Sequence, residues 1–115
     1  SGRTLRELGE MTDDPRFMAN LIQEFLTNAE DLRGKMETAA EERRLSDLRE
    51  HAHALKGSAS NLGVEALANV CERLQFADAM DLSTGTVRYE LEWMADLLKR
   101  ARPALLLHAG GRLQR

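Results

Sequence analysis

The chain has 115 residues, a net charge of −3 and 4% aromatic residues, which allows one hydrophobic core and not two. Its acidic balance excludes a global electrostatic fit to nucleic acid, its single cysteine excludes an internal disulfide, and no apolar run approaches the roughly 20 residues that cross a bilayer. Leu, Ala, Glu and Arg dominate and there are two prolines, a composition that predicts an all-α fold.

Arg3 to Gly9, with Leu5 and Leu8, reads as a short helix that covers one end of the fold and stops at Gly9. Asp13 or Asp14 then caps a new helix with Pro15 at its favoured first position. Met18, Ile22, Phe25, Ala29, Leu32, Met36 and Ala39 alternate steps of four and three, the seam of a bundle helix from about Pro15 to Glu42. Gly34 interrupts the propensity but not the stripe. After Arg43 and Arg44 at a turn, Ser46 or Asp47 is the expected cap of a second bundle helix that ends near Asn61, with Gly63 making the turn. A third helix, about Val64 to Ala79, buries Leu67, Val70, Cys71 and Leu74, and Cys71 is read as a core residue rather than a reactive thiol. Asp81 to Thr86 reads as a loop. The last helix presents Val87, Leu91, Met94, Leu98, Ala101 and Leu105, with a kink or break expected at Pro103 and a frayed tail from Gly110. The pattern predicts an antiparallel up-down four-helix bundle with a short additional N-terminal helix. Residues 1–115 form one domain with the bundle core at about 14–107.

The second bundle helix carries the chemistry. At about 100° per residue, Leu45, Leu48, Ala52, Leu55, Ala59 and Leu62 form its buried stripe, while His53 falls roughly 130° from the stripe's centre and Gly57 nearly opposite it. A glycine inside a helix costs about 1 kcal/mol relative to Ala, so something outside the propensity ledger compensates. One turn from His53, a missing side chain leaves the imidazole open and lets a partner approach the backbone. Lys56, three residues after His53, is placed to attract phosphoryl oxygens on the ring. Arg49 and Ser60 lie on the same side, Arg49 as local positive potential or a solvated cation, Ser60 as the border of a docking surface or a solvated hydroxyl. Ser46 is read in the same way as Ser60.

The run His53-Ala54-Leu55-Lys56-Gly57-Ser58, followed by Gly63, resembles the signature of histidine-containing phosphotransfer (HPt) domains of bacterial multistep phosphorelays. Asp14-Pro15-Arg16-Phe17 with Leu21, Ile22 and Phe25 is similar to that family's first bundle helix, and Leu67, Cys71, Glu72 and Leu74 to its third. The resemblance implies a phosphocarrier, not an enzyme, that accepts a phosphoryl group on His53 from a receiver-domain aspartyl phosphate and passes it to another receiver. Lys56, Gly57, Arg49 and Ser60 are then the phosphate-orienting or docking residues. The partners implied are receiver domains of response regulators or of a hybrid sensor kinase, without nucleic acid or membrane insertion. No cofactor is expected on this chain, Mg²⁺ being expected on the partner receiver. The expected location is the cytoplasm, either free or as the C-terminal module of a membrane-bound hybrid sensor histidine kinase.

Rival readings fit the residues less well. Glu50-x-x-His53 has the spacing of carboxylate-bridged bundle metal sites, but those need a second such pair and two further Glu facing inward, whereas this pair faces outward; no metal site is expected. His51 sits at the edge of the apolar stripe and lacks a glycine one turn on, and His108 lies near the chain's end. The dimerisation helix of a histidine kinase resembles this one in exposing a histidine, but Ala54 and Gly57-Ser58 stand where such kinases carry an acidic residue and a proline. A four-helix scaffold or adaptor without phosphorylation is the remaining alternative, and it leaves Gly57 unexplained. Arg73 on the third helix has no place that the sequence can fix.

Overall fold

The computed structural model describes residues 14–113. In chain order its helices are α1 (Pro15–Glu41), α2 (Leu45–Leu62), α3 (Glu65–Gln75), α4 (Ala79–Ser83) and α5 (Thr86–Leu113). Among the described residues there is no strand. The helix expected over Arg3 to Gly9 lies outside the described residues.

The periodic stripes become one core. Met18, Ile22, Ala29, Met36 and Ala39 of α1, Leu48, Ala52, Leu55 and Ala59 of α2, and Val70 and Cys71 of α3 are fully buried, with Val87, Leu91, Met94, Leu98 and Leu105 of α5 closing over them. Each Leu, Ile or Met so removed from water contributes about 1.5–3 kcal/mol against chain entropy. α1 and α3 each pack beside both α2 and α5, so α1, α2, α3 and α5 form the expected antiparallel bundle.

The turns show why the chain reverses where it does. Asp14 caps α1, its side chain accepting the Arg16 amide at 2.9 Å. At the other end of α1, the Arg43 and Arg44 amides donate to the Ala40 and Ala39 carbonyls at 3.1 and 2.8 Å, a Schellman closure that puts Arg43 at φ 58°. The same closure ends α2, where Gly63 takes φ 76° and the Gly63 and Val64 amides return to Ser60 and Ala59. Glycine meets that left-handed requirement without the clash a Cβ brings.

Several boundaries differ from the sequence reading. α2 starts at Leu45 with Arg44 as its N-cap and no side-chain cap bond, so neither Ser46 nor Asp47 caps it. Asp47 lies in the first turn, where its charge suits the helix dipole and where it pairs with Arg44. α3 stops at Gln75, and part of the expected loop is the short helix α4. Asp78 and Asp81 form a reciprocal capping box there, each side chain accepting the other's amide at 2.9 Å. α5 continues through Pro103 to Leu113, so the helix does not break at the proline.

Candidate functional site

α2 presents His53 to solvent while Ala52 and Leu55, on either side of it in sequence, are fully buried. The histidine is therefore fixed on a rigid backbone with its ring outside. Gly57, one turn later, is exposed, and a Cβ built on it meets no atom within 4 Å. Internal packing thus gives no reason for a glycine there. The side that it opens faces away from the bundle.

α3 lies antiparallel to α2 and supplies the rest of the face. Lys56 Nζ stands 3.6 Å from Glu72 Oε1, with the two side chains 34% and 53% exposed. Seven residues earlier on α2, Arg49 Nε donates to the Ala77 carbonyl at 2.7 Å. That bond ties Arg49 to the chain just beyond the C-terminal end of α3, a role the sequence did not indicate, since it depends on the register between helices. Lys56 opposite Glu72 and Arg49 opposite Ala77 set Gln75 level with Ala52 and His53. Gln75 is half-buried, and its Oε1 is buried with no hydrogen-bond partner, an acceptor left open at the height of the histidine.

Ser60 is exposed on the same helix. Arg73 turns to the opposite side of α3, where its Nε donates to Glu90 of α5 at 3.0 Å, and does not join the group. His51 is half-buried at the edge of the α2 stripe, and His108 is half-buried on α5. Two large apolar side chains border the α3–α4 joint in the open, Phe76 and Met80, each 70% exposed. The sequence reading did not single them out, because nothing in the stripe distinguishes an exposed Phe76 from a core residue once α3 is taken to continue to Ala79.

Among the described residues, no group of three or more His, Cys, Asp or Glu side chains is placed to hold a metal ion. No described helix is long and apolar enough to cross a membrane. The site is an open face bearing an accessible imidazole, an ammonium loosely paired across the helices, and a glycine that keeps the approach clear. Such a face suits a nucleophile that another macromolecule must enclose.

Comparison with known proteins agrees with that geometry. The family model described as the Hpt domain matches residues 20–104. The phosphorelay intermediate protein YPD1 of Saccharomyces cerevisiae is 37% identical over 73 residues, covering 62% of this chain and 44% of that protein. Its namesake from Candida albicans is 33% identical over 63 residues, covering 55% of this chain and 34% of that protein. The chain thus spans less than half the length of these relatives. The crystal structure of histidine-containing phosphotransfer protein B from Pseudomonas aeruginosa superposes with a TM-score of 0.80 at 23% identity, over 96% of this chain and 93% of that one, which is agreement in fold.

Proposed function

The chain belongs to the Hpt domain family, and from that premise we propose that it is a phosphocarrier of a multistep phosphorelay with His53 as its phosphoacceptor. The observation that carries the proposal is an exposed His53 beside Gly57, a helix-interior glycine whose open flank the fold itself does not use. The donor is an aspartyl phosphate on a receiver domain. The lone pair of His53 Nε2 forms the N–P bond as the bond from phosphorus to the aspartyl oxygen breaks, and the aspartate leaves as carboxylate. The reverse step on a second receiver passes the group on.

The division of labour follows from the face. An open surface with one ammonium offers little of the charge stabilisation that phosphoryl transfer needs, so the receiver supplies the acidic pocket and Mg²⁺, and this chain acts as a transfer intermediate rather than an enzyme. Lys56 steadies the phosphoryl oxygens, Gly57 gives clearance, and Arg49 braces the end of α3 while adding positive potential. Gln75, on α3 at the height of His53 and with its amide oxygen unpartnered, is the acceptor this reading assigns to the Nδ1–H of an imidazole whose Nε2 must keep its lone pair. Ser60 and Phe76 border the docking surface. In this reading the chain works in the cytoplasm, either as a free carrier or as a module of a hybrid sensor kinase.

The test mixes the chain with a kinase and receiver charged from labelled ATP and compares wild type with His53→Gln. Acid-labile, base-stable label on the wild type alone is the expected result, with equal helix content in both. Label that persists on His53→Gln moves the acceptor elsewhere, and no label from any of several receivers favours a scaffold.

A further inference from the structure

Lys56 has two claims on it. Its ammonium stands between α2 and α3, 3.6 Å from Glu72 Oε1, and its position three residues after His53 also brings it within reach of groups on the imidazole. We propose that Glu72 is a positioning residue that competes with a phosphoryl group on His53 for Lys56, and so keeps that group easier to discharge than the lysine alone would leave it. This rests on His53 being the phosphoacceptor.

The competition is between a carboxylate of one negative charge and a phosphoryl group of about −1.5 to −2. The phosphoryl group is the stronger attractor, yet Glu72 is on a helix packed directly against α2, so its carboxylate stays close whether or not His53 is loaded. It therefore withholds part of the lysine's charge and adds repulsion of its own. Both side chains are partly exposed, and pairs of this kind shift equilibria by up to about fivefold. An effect of that size alters how a phosphoryl group is shared between this chain and its receivers. It is too small to block loading.

The charge balance at the phosphohistidine can be read without a partner. Phosphoramidate transfers its phosphoryl group to an imidazole nitrogen and leaves as ammonia, and the phosphorus-31 resonance of the product follows the acid–base midpoint of the loaded group. An ammonium on the phosphoryl oxygens lowers that midpoint, and a carboxylate that draws the ammonium away raises it. The titration is run on the full chain as wild type, Glu72→Gln, Lys56→Ala and the double variant. Glu72→Gln is expected to lower proton affinity about two- to fivefold relative to wild type, a difference that shrinks at high salt, while the same change in the Lys56→Ala background does little. An unmoved midpoint in Glu72→Gln overturns the proposal, as does an equal drop with and without Lys56, which makes Glu72 a simple repulsive charge. Failure of His53 to load in the wild type overturns the phosphohistidine reading and this inference together, so the two failures are distinct.

Discussion

Gly57 costs α2 about 1 kcal/mol in helix propensity, and a Cβ placed there meets no atom within 4 Å. Replacing it with leucine is therefore expected to stabilise the fold by about 0.5–1 kcal/mol, measured as a higher urea midpoint. Transfer from a receiver should slow at least tenfold (about 1.4 kcal/mol), while loading by phosphoramidate, a donor small enough to avoid the new side chain, stays near the wild-type rate. Unimpaired receiver transfer would remove the clearance role. Arg43 has the opposite problem, a Cβ in the left-handed region at φ 58°. Arg43→Gly relieves a strain of about 1 kcal/mol but loses an exposed bond to Ser83 Oγ at 3.2 Å. A net gain of about 0.5 kcal/mol is expected by urea denaturation, with Arg43→Ala, which keeps the strain and loses the bond, falling below wild type. His53 and Gly57 were legible in the sequence because helical periodicity alone decides which side faces water. The Arg49 bond to the Ala77 carbonyl was not, since no local pattern tells which carbonyl of another helix an exposed arginine will meet.

The long helices follow their apolar stripes because a stripe that recurs over several turns can be buried in only one rotation. α1 and α2 carry such stripes from end to end and end close to where the sequence places them. α3 is different. Its stripe persists to Ala77, which is buried, so periodicity favours a longer helix, and only the side chains of Asp78 and Asp81 reveal that the backbone restarts as α4. Pro103 does not break α5. Far along α5 it stands where the side chain is exposed, and the helix runs on past the lost amide bond to the preceding turn. The capping box makes α4 testable: Asp78→Ala removes the side-chain acceptor of the Asp81 amide and leaves the backbone amide of residue 78 donating to Asp81, at a cost of about 1 kcal/mol. Amide hydrogen exchange over Ala79 to Thr84 is expected to quicken severalfold, with amides in the middle of α1 and α2 unaffected. Unchanged exchange over α4 would mean that packing against α5 alone holds it.

Cys71 links the whole molecule to pH. It is fully buried on α3 in the core that all four bundle helices share, and burial pushes its thiol up from 9.0 to about 12 by penalising the thiolate. In the unfolded chain that thiol titrates near its ordinary value. Between about pH 9 and 12 the unfolded state therefore binds fewer protons than the folded one, and folding stability falls as pH rises. The slope from this group approaches about 1.4 kcal/mol per pH unit within that window and vanishes below it. The contribution is isolated by difference against a variant without the thiol. Cys71→Ala is expected to lose about 1 kcal/mol at neutral pH for the missing sulfur and to show a shallower decline above pH 9 than wild type. Thiol reagents give a second reading. A thiol held protonated in a shared core reacts only through opened molecules, so labelling at pH 8 should be at least about a thousandfold slower in the native protein than in urea, and should speed up in any variant that weakens the bundle as a whole. Rapid labelling of the folded chain would mean that α3 opens by itself, and with it the Lys56–Glu72 pairing between α2 and α3.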